Sequence, residues 1–169
     1  MNFIKYYDNV ISYDICKSII QISKDSYSHE FVKHNNQGRN YYRIPSQYFW
    51  SIKNEITSGI EKSLEHYKKD FDIKDDFEYN FKVHYNPVGG YIDWHNDHGG
   101  KTESSWKRKL AFIIYLNDLD EGELQFKYFP EIQIMPVAGR CLIMPTCWTH
   151  IHKADKLFEE KFILTGFFC

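Results

Sequence analysis

A chain of 169 residues with 43 % apolar content has enough apolar surface for one continuous core, so a single domain over 1–169 is expected. A formal charge of −2 and a pI near 6.4 exclude a broad basic field, which removes nucleic acid as an expected partner. No stretch reaches the ~18 apolar residues of a membrane span, and the opening MNFIKYYDNVISYD is polar throughout, so a soluble, cytoplasmic protein is expected. Cys16, Cys141, Cys147 and Cys169 lack C-x-x-C spacing and are too few for a disulfide scaffold, which predicts reduced thiols. An aromatic fraction of 18 %, mostly Tyr and Phe, suits a β-rich interior.

Taken in chain order, the first predicted element is a short amphipathic helix over 11–23. Ile11, Ile15, Ile19, Ile20 and Ile22 recur at helical spacing, and Ser12 is placed to cap the first turn. Residues 24–45 are polar and turn-rich, predicting a surface segment with Asn-Asn-Gln-Gly as its loop tip. From Tyr48 to Lys69, Phe49, Ile52, Ile56, Ile60, Leu64 and Tyr67 step by three and four, so one helix with a single apolar stripe should pack on a sheet. After Asp76 the pattern becomes alternation and short apolar runs: FEYNFKVHYN, GYIDWHND, RKLAFIIYLND, GELQFKYF, EIQIMPVAG, RCLIMP, CWTHIH and KFILTGFF. Eight short strands after two helices predict a mainly β fold with flanking helices (α+β). The helical part should cover 1–75 and a jelly-roll core 76–169.

His95 and Asp97 lie two apart in a segment read as strand, which predicts that both face the interior of the roll. Two histidines and one carboxylate on one side of a metal leave the opposite positions open, an arrangement suited to Fe(II). A third ligand must come from elsewhere, and His150 and His152 are again two apart. His29, His34, His66 and His84 have no partner at ligand spacing, and His98 should point to the far side of the strand. Gly89 and Gly90 should turn the chain into the metal strand and Gly99 and Gly100 release it; no Lys-Ser/Thr follows that would make a phosphate loop.

Three ordered segments, HYNPVGGYIDWHND, AFIIYLNDLDEGELQF and GRCLIMPTCWTHIHKADKLFEEKFILTGFF, resemble the prolyl 4-hydroxylase-like branch of the 2-oxoglutarate and Fe(II)-dependent oxygenases. The resemblance covers 83–168 and extends weakly to YYDNVISYDICKSII, which is similar to the family's first helix. It implies a double-stranded β-helix in which His95 and Asp97 are the first two iron ligands. It also implies His152 as the distal one, because Lys161 follows it by nine residues; His150 stays as the alternate.

By the same resemblance Lys161 would bind the distal carboxylate of 2-oxoglutarate, with Thr165 on the same strand face and Tyr115 donating a hydroxyl. Tyr85 and Leu124 would complete the pocket wall, and Tyr91 and Trp94 would flank the substrate groove. The groove should be formed by 24–45 and by the loop from His98 to Lys107. Fe(II), 2-oxoglutarate and O2, with ascorbate as an auxiliary, are the implied cofactors. Hydroxylation of a prolyl residue in a peptide or protein is the implied activity, and a small molecule is the alternative substrate. Two other classes fit a jelly roll: a zinc-type hydrolase or isomerase, which has no use for Lys161 and Thr165, and a non-catalytic binding module. The sequence says nothing of oligomeric state.

Overall fold

The structure is a computed structural model that describes residues 1–26, 31–34, 39–100 and 102–169. Eleven strands and three helices follow in chain order: β1 (Lys5–Tyr7), α1 (Tyr13–Ser26), β2 (Phe31–His34), β3 (Arg39–Pro45), α2 (Lys53–Asp70), β4 (Tyr79–Asn86), β5 (Ile92–His95), α3 (Glu103–Trp106), β6 (Leu110–Tyr115), β7 (Leu124–Phe126), β8 (Phe129–Ile134), β9 (Cys141–Pro145), β10 (His152–Ala154) and β11 (Lys161–Phe168). They pair as a seven-stranded sheet, β1-β9-β6-β11-β4-β3-β2, and a four-stranded sheet, β5-β10-β7-β8, with every ladder antiparallel. This is the predicted jelly roll with helices against the larger sheet.

Helix α1 begins where expected, with the Ser12 hydroxyl accepting the Ile15 amide at 3.3 Å. The stripe predicted as one helix divides in two. Residues Ser46–Ile52 form a 3-10 turn with a break at Phe49, and only then does α2 run to Asp70. Pro45, extended at φ −64°, hands the chain from β3 to this tighter turn, and the kink lets Phe49 stay fully buried. Past α2, Asp72 adopts a left-handed φ of 51° and the Ile73 amide bonds back to the Lys68 carbonyl at 2.9 Å, which ends the helix.

Three strands of the N-terminal part escaped prediction. The segment 24–45, expected as surface loop, contributes the β2–β3 hairpin to the large sheet, and Lys5–Tyr7 pairs with β9. Their sequences are mostly polar and show no clear alternation, so pairing of β1 with β9, of β3 with β4 and of β2 with β3 overrides local composition. The expected loop tip at 35–38 and His29 lie outside the described residues.

The large sheet carries different chemistry on its two faces. Towards the helices, Phe81, Val83, Phe112, Ile114, Leu164 and Phe168 pack with Ile19, Phe49, Ile56, Ile60 and Tyr67. Each such buried side chain contributes about 1.5–3 kcal/mol. Towards the small sheet, Ala111, Tyr115, Leu142 and Met144 meet Leu124, Phe126 and Ile134 in a second apolar cluster, beside which a cavity opens. The four cysteines are all free thiols, and among the described residues no helix is long and apolar enough to cross a membrane.

Candidate active site

His95 is the last residue of β5 and His152 the first of β10, and the antiparallel register sets them opposite one another with ring centroids 4.3 Å apart. The Nδ1 of His95 lies 2.8 Å from the Asp93 carbonyl and that of His152 lies 2.9 Å from the His150 carbonyl. A carbonyl can only accept, so each ring carries its proton on Nδ1 and keeps its lone pair on Nε2. Those Nε2 atoms face one carboxylate: His95 is 3.9 Å from Asp97 Oδ1 and His152 is 3.6 Å from Asp97 Oδ2. Ligand atoms of all three residues lie within 4.8 Å of one another, a set of two imidazoles and one carboxylate able to hold a divalent cation.

Asp97 reaches this cluster by a route other than strand alternation. Strand β5 ends at His95, and Asp97 sits on the turn beyond it, where the amides of Asp97 and His98 both donate to the Thr146 carbonyl, at 3.1 and 3.0 Å. The glycines that follow, Gly99 and Gly100, have φ of 82° and 110° and carry the chain away as expected. His98 turns from the cluster and places Nδ1 3.1 Å from the Arg108 carbonyl.

The two distal histidines part company. His150 does not share a strand face with His152, because Trp148–His150 is a 3-10 turn that rotates its side chain elsewhere. Its Nε2 donates to the Asn2 carbonyl at 2.6 Å and its Nδ1 meets the Thr149 hydroxyl at 2.8 Å, so both nitrogens are engaged away from the cluster. Burial pushes its pKa down, opposed by the Asn2 bond, and it behaves as a neutral structural residue. Only His152 joins His95 and Asp97.

A cavity of about 250 Å³ opens beside the trio, between the two sheets. Strand β11 sends Lys161, Ile163, Thr165 and Phe167 into its wall, as the period-two reading expected, and β6 adds Tyr115 and β7 Leu124. Lys161 is buried, with Nζ donating to the Gly122 carbonyl at 2.5 Å and lying 5.4 Å from the centre of the Tyr115 ring. Burial pushes its pKa down to about 8, with Glu123 and Glu121 opposing the shift.

The Tyr115 hydroxyl is buried with no hydrogen-bond partner, and burial pushes its phenol pKa well up, so it remains a protonated donor. An orphaned donor beside an ammonium in a cavity wall fits a carboxylate. Thr165 also lines the wall, but its hydroxyl proton goes to the Phe112 carbonyl at 2.9 Å, leaving it as an acceptor.

Tyr85 is placed elsewhere than the sequence suggested. Strand β4 turns Lys82, His84 and Asn86 to the cavity, so Tyr85 faces the helices, stacked on Phe162 at 4.6 Å with its hydroxyl 2.5 Å from Glu160. His84, read from sequence as an ordinary histidine, lines the cavity under the Tyr41 ring at 4.2 Å. Of the described residues between His98 and Lys107, none lines the cavity; Arg108, just beyond, does. Sequence reasoning missed it because no local motif marks a residue just before a strand, here two before Leu110, as a wall residue. Tyr91 also lines the cavity, whereas Trp94 is exposed with Lys153 Nζ 5.3 Å from its ring.

The profile of the 2OG-Fe(II) oxygenase superfamily matches residues 81–169, which contain every residue of this constellation. Among solved structures, the viral collagen prolyl hydroxylase vCPH from Paramecium Bursaria Chlorella virus-1, determined as a 2OG complex, matches at TM-score 0.75 and 17 % identity over 98 % of this chain and 95 % of that one. A Pseudomonas putida prolyl-4-hydroxylase matches at TM-score 0.69 and 15 % identity, over 99 % and 92 % of the two chains. A prolyl hydroxylase in complex with a hypoxia inducible factor oxygen degradation domain peptide fragment, from Trichoplax adhaerens, matches at TM-score 0.78 and 16 % identity, over 99 % and 84 %. At these identities the likeness is one of fold. No curated protein matches by sequence.

Proposed function

This chain belongs to the 2OG-Fe(II) oxygenase superfamily and is a dioxygenase that uses Fe(II), 2-oxoglutarate and O2; from that premise we propose that it hydroxylates a prolyl residue in a peptide or protein. His95, Asp97 and His152 are the proposed iron ligands, with Lys161 and Tyr115 receiving the distal carboxylate of 2-oxoglutarate and Leu124 packing beside it. The observation that carries this reading is the cavity itself. The trio of metal-binding side chains lies against a pocket whose wall holds an ammonium and an orphaned hydroxyl, two donors that a bound carboxylate would satisfy.

When bound, Fe(II) with 2-oxoglutarate and O2 supplies the oxidative decarboxylation to succinate that drives hydroxylation of an unactivated C–H bond. The residues of this chain place and shield. Carbonyl acceptors at Nδ1 of His95 and His152 hold both imidazoles with Nε2 inward. Lys161 orients the cosubstrate by charge, as a single ammonium rather than a bidentate fork, and its burial excludes competing water. Ile163, Leu124 and Ala111 keep the middle of the cavity apolar. Tyr91 in the cavity wall offers an aromatic surface on which a pyrrolidine ring can pack. The peptide substrate is supported by the kinds of enzyme that share the fold, one of them solved with a peptide fragment.

The test is to incubate purified protein with Fe(II), 2-oxoglutarate, ascorbate and a proline-containing peptide library. Succinate release and peptides heavier by one oxygen atom are read by mass spectrometry. Succinate without any oxygenated prolyl peptide would sink the substrate proposal. Full activity of Lys161→Ala at low 2-oxoglutarate would sink the cosubstrate assignment.

A further inference from the structure

We infer that Arg108 is a positioning residue for the Asp97 carboxylate, an inference that rests on the proposed role of Asp97 as an iron ligand. The three side chains of the cluster are not equally secured. His95 and His152 belong to paired strands, and the β5–β10 ladder holds their backbones opposite one another. Asp97 lies two residues beyond the last paired position of β5, on a turn that no ladder constrains. Something outside the sheet must fix the plane of that turn, because a carboxylate carried on a loose turn would not hold a coordination geometry.

The chain supplies this from two places distant in sequence. On one side the Thr146 carbonyl, at the end of β9, accepts the Asp97 and His98 amides. On the other, Arg108 Nη1 donates to the Asp97 carbonyl at 3.0 Å, which closes the turn from its opposite edge. The guanidinium is itself held over an aromatic ring, with its carbon 3.9 Å from the centre of Phe167. The Arg108 carbonyl then accepts the Thr146 hydroxyl at 2.8 Å and faces His98 Nδ1 at 3.1 Å. Thr146 is 1 % exposed, so its end of these bonds is shielded from water, while Asp97 and Arg108 are half-buried at the cavity wall. Arg108, Thr146 and the Asp97 turn therefore form a closed clasp, of which Arg108 is the one member with a side chain able to reach the ligand residue's carbonyl.

The experiment titrates Co(II), as a stand-in for Fe(II), into wild-type protein, Arg108→Met, Arg108→Lys and Asp97→Ala, with neither 2-oxoglutarate nor peptide present. Visible absorption and calorimetry are the readouts. Arg108→Met should bind Co(II) about tenfold more weakly and with an altered visible spectrum, as loss of an outer-shell partner does elsewhere. Arg108→Lys keeps the charge and a donor and should lose less. Unchanged Co(II) affinity and spectrum in Arg108→Met overturn the inference. Should Arg108→Met not fold, Arg108→Gln, which removes the charge and shortens the reach, takes its place, and wild-type Co(II) behaviour in it overturns the inference equally. If Asp97→Ala binds Co(II) as wild type does, it is the ligand assignment that has failed, a result separable from the others.

Discussion

The two faces of the large sheet are made by the same strands yet do opposite work. On β11, Phe162, Leu164 and Phe168 join the helix-side core, while Lys161, Ile163, Thr165 and Phe167 line the cavity. On β6 the split is Leu110, Phe112 and Ile114 against Ala111, Ile113 and Tyr115. The helix side is apolar and closed. The cavity side keeps the Tyr115 hydroxyl buried without a protein partner. A buried donor without a partner costs about 1–3 kcal/mol, so the cavity face gives up stability that the helix face supplies.

The contrast breaks most visibly at the metal end. His152→Ala should lose bound iron and all 2-oxoglutarate turnover, because it removes one of three proposed ligands. His150→Ala should keep its iron and instead lose about 1–3 kcal/mol of stability, since the Asn2 carbonyl is left unpaired. Metal content of the two purified variants decides between them, and iron lost from His150→Ala alone would reverse the assignment.

Next in size is the helix face. Leu164, 0 % exposed, should cost about 2–5 kcal/mol when cut to Ala, read by denaturant unfolding. The folded variant should retain its 2-oxoglutarate requirement; a large change there would mean the two faces are coupled.

Three residues earlier on the opposite face of the same strand, Lys161→Ala should leave iron in place and raise the 2-oxoglutarate KM roughly 10–100-fold, the value of a charge-assisted contact. Burial lowers the Lys161 pKa to about 8, so the protonated form that receives a carboxylate is lost as pH rises. Cosubstrate affinity should accordingly be level below that pH and fall above it, approaching about tenfold per pH unit. Lys161→Arg, which stays charged, should abolish that fall. An unchanged pH profile in Lys161→Arg would detach the titration from Lys161.

The smallest effect separates function from stability at a single atom. Tyr115→Phe removes a hydroxyl without a protein partner, so thermal unfolding should be unchanged or slightly higher. The 2-oxoglutarate KM should still rise, by roughly 2–10-fold, for the loss of one neutral hydrogen bond. A clear fall in stability with no change in KM would assign Tyr115 to the core.

Much of the fold and site was legible in the residues. Alternation in KFILTGFF placed Lys161 and Thr165 on one face, and the eight predicted strand segments after Asp76 each contain or adjoin an observed strand. The stripe from Phe49 to Tyr67 identified the buried side of α2. The short, polar β1 and β3 were not legible, because they become strands by pairing with β9 and β4, and β2 follows as the partner of β3.

Local spacing determines which residue types lie two apart and hence which could share a face. It established the His-x-Asp pair, the double histidine at 150 and 152, and the alternating wall of β11. Where a strand ends, and which of its two faces meets the second sheet, depends on ladders with distant partners. Only those ladders stopped β5 at His95 and left Asp97 on a turn held by Thr146 and Arg108. They also turned Tyr85 to the helices and His84 to the cavity. A 3-10 turn set His150 on Asn2 while β10 set His152 beside His95 and Asp97. A shift of one residue exchanges every side chain between faces, so positions that are equivalent along the chain become chemically distinct only when the sheets close on each other.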